Sequence, residues 1–212
     1  MPSLPDFSLE NSLWKKGIKI IGGLDEVGRG SFAGPVVAAV VIFKENQEIE
    51  KEIVINDSKK LNPREREIAS IWIKRNALSW GIGEGSVNKI NKLGIKKATD
   101  IAFRNAIKMA KKNRIEHILI DAFYIPYVKG LKRKNQSAII KGDTKSISIA
   151  AASIIAKVYR DKLMLNLSKY PKYKKYKWDK KKGYGTRKHR ESIKRYGATN
   201  LHRTLFFSSS LK

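Results

Sequence analysis

Short apolar runs alternate along the chain with amphipathic stretches, and their order predicts an α/β fold. "IKIIGGL" and "PVVAAVVIF" are β-branched and apolar with Gly and Pro between them, which predicts two neighbouring strands, the second buried on both faces. A helix follows. Asn62 is a good N-cap, Pro63 suits the first helical position and Glu65 stands three residues after the cap, while Leu61, Ile68, Ile71 and Trp72 supply an apolar face. "ALSWGIGEGSV" alternates as a third strand does, and Ile95, Ala98, Ala102, Ala106 and Met109 form the stripe of a second helix. "HILIDAF" predicts a buried strand ending at Asp121, and "AIIKGD" a weaker one ending near Asp143. "SISIAAASIIAKVYRDKLMLNL" predicts a long helix whose small residues permit close packing on a sheet. The resulting order, β-β-α-β-α-β-β-α-α, implies a mixed five-stranded sheet flanked by helices.

After Leu167 the composition shifts. "SKYPKYKKYKWDKKKGYGTRKHR" mixes Lys with Tyr and Trp and predicts a basic loop leading into a last helix, capped by Thr186 and stopped by Gly197. The expected organisation is one domain: a short, loosely held lead over residues 1–17, an α/β core over 18–168, and a basic loop with a C-terminal helical portion over 169–212, packed on the core.

Charge narrows the class of function. Among 212 residues there are 45 Lys and Arg against 19 Asp and Glu, a formal net charge of +26. Such an excess attracts polyanions, most simply nucleic acid through phosphate contacts and counterion release; an acidic lipid surface or a bias of composition are the rival readings. There are no cysteines, which excludes disulfides, thiolate metal sites and a cysteine nucleophile and suits a reducing cytoplasm. The N-terminus lacks the pattern of a secretory signal, and no apolar run is long enough to span a bilayer, so no membrane partner is expected.

Against this basic background, Asp25 and Glu26, Asp121, and Asp143 each stand where an apolar run ends. Groups at strand ends of an open α/β sheet converge on one crevice. Acids gathered there repel one another unless a cation bridges them, and an oxygen-only donor set favours a hard cation, Mg2+ or Mn2+. Such ions hold and polarise a phosphate and activate water. Any one Asp taken alone after a strand is more often a turn residue or a helix cap. Asp25 and Glu26, being adjacent, point to opposite faces of a regular strand, and serve one site only if the strand ends or bulges there.

Taken together, "GLDEVGRGSFAGPVVAA", "NDSKKL", "LIDAF", "KGDTKSISIAAASIIAKVYRD" and "KGYGTRKH…YGATNLHR" resemble bacterial ribonuclease HII, in the family's order from about Ile18 to Phe206. The resemblance implies a ribonuclease H-like fold with a C-terminal helical portion. It implies a metal-dependent endonuclease that hydrolyses the RNA strand of RNA–DNA hybrids and nicks duplex DNA 5′ of embedded ribonucleotides, leaving 3′-hydroxyl and 5′-phosphate ends. The family's four acids fall on Asp25, Glu26, Asp121 and Asp143, which would be both catalytic and metal-binding, with one or two Mg2+ or Mn2+ ions, the second recruited with substrate. The family's "GRG" segment, which approaches the 2′-hydroxyl, is Gly28, Arg29 and Gly30 here. Tyr184 matches a tyrosine that packs on the sugar beside the ribonucleotide, and Lys59 a phosphate-contacting lysine. Asp161 also fits the family pattern, but inside a helix it reads as a surface ion pair or cap. The implied protein is a cytoplasmic monomer whose partners are hybrid and ribonucleotide-containing duplex.

The related ribonuclease HIII also starts D-E-V-G, but typically has threonine where this chain has Arg29, and carries an extra N-terminal domain for which an acidic pair at residue 25 leaves no space. Two rival functions remain: a non-catalytic nucleic-acid binder, which has no reason to set acids against phosphate, and a DNA-specific nuclease, against which the "GRG" and "KGYGT" segments speak. None of His117, His189 and His202 is assigned a catalytic role.

Overall fold

The computed structural model describes residues 4–110 and 114–207. A mixed five-stranded sheet is flanked by helices on both faces, as expected. The strands are β1 (Ile21–Val27), β2 (Val36–Ile42), β3 (Ser79–Gly85), β4 (His117–Asp121) and β5 (Gln136–Ile139), ordered β3-β2-β1-β4-β5. The β1–β2 and β2–β3 pairs are antiparallel; β1–β4 and β4–β5 are parallel. The helices are α1 (Ser8–Trp14), α2 (Pro63–Asn76), α3 (Val87–Met109), α4 (Ile147–Ser168), the single turns α5 (Pro171–Lys174) and α6 (Trp178–Lys181), and α7 (Arg187–Tyr196).

Strand β2 is buried along its whole length and splits the core by alternation. Val37, Ala39 and Val41 face α2 and α4, whereas Val36, Ala38, Val40 and Ile42 face α3. The third strand explains the alanine stripe. A Cβ on Gly81, Gly83 or Gly85 would lie 2.2–2.3 Å from the carbonyl oxygens of Ala106, Ala102 and Ala98, so glycine facing alanine brings α3 directly onto the sheet. Met109, read as the end of that stripe, is instead 63% exposed. Helix α2 has the expected full capping box of Asn62 and Glu65. Its buried face, however, is Ala69, Trp72 and Ile73; Ile68 and Ile71 point outward.

The described part of the lead is not loose. Trp14 is buried against Ile21, Leu119 and Ile149, and the Glu10 carboxylate accepts hydrogen bonds from Ser146 Oγ (2.6 Å) and Ser148 N–H (3.0 Å). A carboxylate there meets the positive end of α4. The sequence hid this because the partners are about 140 residues away. Residues 1–3 of the lead, and 208–212 of the C-terminal portion, lie outside the described residues.

The basic loop is also more ordered than expected, and it divides by residue type. Tyr176 and Trp178 are buried, Tyr173 and Tyr176 stack on Trp178 at 5.1 and 5.6 Å, and the intervening lysines face outward. Thr186 and Gly197 bound α7 as read from the sequence. Among the described residues no helix is long and apolar enough to cross a membrane.

Candidate active site

The parallel β1–β4 ladder runs in register to Leu24 opposite Ile120. One residue further, Asp25 and Asp121 lie side by side on neighbouring strands and on the same side of the sheet; Asp121 ends β4, whereas β1 pairs on without a break through Glu26 to Val27, so the acidic pair does not close its strand as the sequence suggested. Strand β5 stops at Ile139, so Asp143 is not at a strand end: it sits in a 3-10 turn, Gly142–Thr144, immediately before α4. That turn is tied to the cluster by Gly142 N–H, which donates to Asp121 Oδ1 at 2.7 Å. Asp25 Oδ1 accepts from the Glu26 N–H at 2.7 Å. Glu26, the next residue along β1, still lies close enough to feel the Asp121 charge.

The electrostatics are those of crowded, desolvated acids only partly offset by Arg29 and Lys59. Burial pushes the Asp25 carboxyl well above the usual carboxylate value, and Glu26 and Asp121 push it the same way, against hydrogen bonds from Ser153 and the Glu26 N–H. Glu26 is raised by burial despite Arg29, whose Nη1 is 3.3 Å from its Oε1. Asp143 is raised by burial, then by Asp57 and Asp121, and opposed by Lys59 and Lys60. Burial alone would lower Lys59, but Asp57, Asp143 and further acids outweigh it and its pKa rises.

The donor set is entirely oxygen, the acids are crowded, and their repulsion falls if a hard divalent cation enters; the residues fit such an ion. Among the described residues no three such side chains are gathered closely enough to hold an ion as they stand, so the fit rests on the chemistry of the donor set.

Gly28 follows β1 with φ +85°, a conformation that favours glycine. Arg29 folds back over the Phe123 ring at 4.9 Å while contacting Glu26, and Gly30 is open to solvent. Lys59 Nζ stands 3.8 Å from Asp143 Oδ2 and 3.9 Å from Asp57 Oδ1, on a largely exposed side chain. Tyr184, 37% exposed, bridges to Ser31 just beyond the glycine turn. The structure therefore brings the four acids, the turn, Lys59 and Tyr184 to one end of the sheet. Asp161 is elsewhere engaged, in an ion pair with Lys157 at 2.8 Å.

Several residues that bear on this site escaped the sequence reading. Asp57 lies inside "NDSKKL" and fixes the loop by accepting the Lys59 N–H at 3.0 Å. Ser153 is one of many small residues in α4. His189 and His202 form a buried relay behind Tyr184. The Thr199 N–H donates to His202 Nδ1 (2.9 Å), which places the His202 proton on Nε2, facing His189 Nε2 (3.1 Å). His189 Nδ1 then donates to the Tyr184 carbonyl (3.0 Å). The pair shares no spacing motif and comes together only because α7 folds back.

Comparison with known proteins places this arrangement. The family model described as Ribonuclease HII matches residues 22–209. A ribonuclease HII of Clostridioides difficile is 45% identical over 202 residues, covering 95% of this chain and 75% of that one. Among solved structures, the ribonuclease H2 of Pyrococcus horikoshii superposes with a TM-score of 0.72 at 24% identity, over 90% of this chain and 95% of its own. Bst-RNase HIII in complex with Mn2+ superposes with a TM-score of 0.69 at 20% identity, over 92% and 69%. At those identities the two structures speak for the fold.

Proposed function

Because the chain belongs to the ribonuclease HII family, and is thereby a hydrolase that cleaves the RNA strand of RNA–DNA hybrids endonucleolytically, we propose that it also nicks duplex DNA on the 5′ side of a single embedded ribonucleotide, leaving 3′-hydroxyl and 5′-phosphate ends. The observation that supports this reading is the glycine turn at Gly28 (φ +85°), two residues after Glu26, with the exposed Tyr184 bridged to Ser31 at the far end of that turn. Such a site suits one ribose followed by deoxyribose.

Asp25, Glu26, Asp121 and Asp143 would hold one or two divalent ions, Mg2+ or Mn2+; the Mn2+ of the Bst-RNase HIII neighbour supports the class of ion. Such an ion supplies polarisation of the scissile phosphate and a more acidic bound water. The chain's own residues do the rest. Gly28, Arg29 and Gly30 approach the 2′-hydroxyl, the feature that separates RNA from DNA. Glu26 would hold the ion, and Arg29, paired with Glu26 in the structure, would then be free to turn to the substrate. Lys59 leaves Asp143 for a substrate phosphate. Tyr184 packs on the next sugar and crowds out a second 2′-hydroxyl. The exposed lysines outside the aromatic stack follow the duplex backbone. The protein works as a monomer in the cytoplasm.

The test is cleavage of a duplex carrying one ribonucleotide, with all-DNA and all-RNA duplexes as controls, with and without EDTA, and with the product ends mapped. Cleavage of all-DNA duplex at a comparable rate, or cleavage that survives EDTA, contradicts the proposal.

A further inference from the structure

Arg160 in α4 and Arg203 near the C-terminus are both fully buried, and among the described residues neither forms an ion pair. A guanidinium normally enters a protein interior with a carboxylate. Here the partners are backbone carbonyls. Arg160 donates from Nε to Pro35, from Nη1 to Lys182 and from Nη2 to Ala33, each at 3.0 Å. Arg203 donates from Nε to Gly34 (2.9 Å) and from Nη1 to Arg29 (2.8 Å), while its Nη2 has no partner.

These five carbonyls belong to only two segments. Residues 29–35 carry the glycine turn, and Lys182 lies two residues before Tyr184. Arg160 also touches both segments by packing. A Cβ on Gly28 would stand 2.1 Å from its Nε, so the guanidinium lies directly behind the turn. Its Cζ is 5.7 Å from the centre of the Tyr184 ring. The two segments meet each other as well, through Phe32 and Ala33 N–H groups that donate to the Gly183 carbonyl. A planar fork with donors at fixed angles can clamp three carbonyls at once, whereas an ammonium on a flexible stem cannot hold them in one plane.

We propose that Arg160 is a specificity-determining positioning residue: its guanidinium sets the spacing between the turn of Gly28, Arg29 and Gly30 and the ring of Tyr184, with Arg203 fixing the outer side of the same turn. It rests on the reading of those two segments as readers of the ribose and its neighbour. The acids are placed by β1, β4 and the Gly142–Thr144 turn, so metal chemistry and junction reading are held by separate supports.

Arg160→Lys keeps the charge and loses the clamp. A misplacement of about 1 Å costs roughly 10²-fold in rate. The expected result is a fall of about 10²-fold in kcat/KM at a single ribonucleotide and a smaller fall, about 10-fold, on continuous hybrid, in a protein whose circular dichroism is unchanged. The ratio of the two substrates is the readout a purely structural role would not move. In the double variant Arg160→Lys, Tyr184→Ala, that ratio stays at the value of Tyr184→Ala alone. A variant with a lowered melting temperature and the wild-type ratio overturns the proposal, as does additivity in the double variant. If Arg160→Lys does not fold, Arg203→Lys carries the test, since it frees only the Gly34 and Arg29 carbonyls: a shift in the same direction supports the proposal and an unchanged ratio overturns it. Wild-type protein that cuts hybrid but not a single ribonucleotide overturns the underlying substrate reading instead, before any variant is made.

Discussion

Buried charges of both signs lie within a few residues of each other in this protein, and they are stabilised in opposite ways. Asp25, Glu26 and Asp143 are crowded and desolvated, and each is pushed toward its neutral form. Arg160 and Arg203 are buried at least as deeply, yet five of their six guanidinium nitrogens donate to carbonyl oxygens of the chain, Arg203 Nη2 alone lacking a partner. The acids keep lone pairs free and so remain able to accept a cation; the arginines have few donors left for a substrate. One region is strained in favour of binding and the other is satisfied in favour of shape. A ribonuclease needs both, since hydrolysis requires ion-holding acids and sugar discrimination requires fixed walls.

The largest effect is expected from removing one strained charge. Asp25→Asn should lower cleavage by roughly 10³-fold or more, the upper scale for loss of one electrostatic stabiliser. The same change should raise the melting temperature without metal by a few degrees, because an ionised Asp25 opposes folding at neutral pH. Substrate binding should persist or tighten. Wild type should gain stability on adding Mn2+, by about 2.7 kcal/mol at a hundredfold excess over Kd, and the variant much less. Near-normal turnover in Mg2+, or a lowered melting temperature, would erase the distinction between the two regions.

A smaller loss is expected at the satisfied wall. Tyr184→Ala removes one aromatic–nucleotide contact, about 1–3 kcal/mol or roughly 5- to 150-fold in kcat/KM at a single ribonucleotide. Tyr184→Phe should keep much of the activity if the ring face matters. Equal losses on single-ribonucleotide and hybrid substrates would assign Tyr184 to general support of catalysis.

This contrast also marks what was legible in the sequence. Strand-end acids announce themselves, since an apolar run stopping at Asp25 or Asp121 is a local pattern. Capping at Asn62 and Thr186 was local too, and the structure has both caps. Asp143 was found but placed wrongly, because β5 ends four residues early and a 3-10 turn continues the run. Arg160 was passed over in favour of its neighbour Asp161, since a buried arginine and a solvated one look alike until the fold supplies carbonyls more than 120 residues away. Glu10, whose hydrogen-bond partners are equally remote, was hidden for the same reason.

The imidazoles sharpen the comparison from a third side, as buried groups that must stay neutral. Burial, and then the His189 ring, push His202 down from its usual 6.5 to about 4. The unfolded chain therefore binds the proton first as pH falls. Stability from keeping His202 neutral is fully present above about 6.5 and is lost on the way to about 4, an effect of roughly 3 kcal/mol. Urea melts between pH 7.5 and 4 check this. His202→Gln should be less stable than wild type at pH 7.5, and the gap should narrow toward pH 4. A constant gap would mean that His202 does not titrate in this range.

The smallest effect concerns cations that are neither strained nor buried. Lys172, Lys174, Lys175, Lys177, Lys180 and Lys181 are exposed around the packed Tyr176 and Trp178, so their charges are free to meet phosphate while the aromatics hold the loop. Each phosphate they neutralise contributes about −0.9 to the slope of log affinity against log salt. Replacing Lys180 and Lys181 by Gln should flatten that slope by up to about 1.8 and weaken binding at low salt. Cleavage position and the preference for a ribonucleotide should not change, because neither lysine borders the glycine turn. Arg160→Lys should do the reverse, shifting preference while leaving the slope alone, since its charge is retained and buried. Duplex titrations from 50 to 300 mM salt, about 1.8 natural-log units, resolve a change of this size. An unchanged slope in the double-Gln protein would take this loop off the duplex backbone, and a changed preference would merge the two kinds of cation into one.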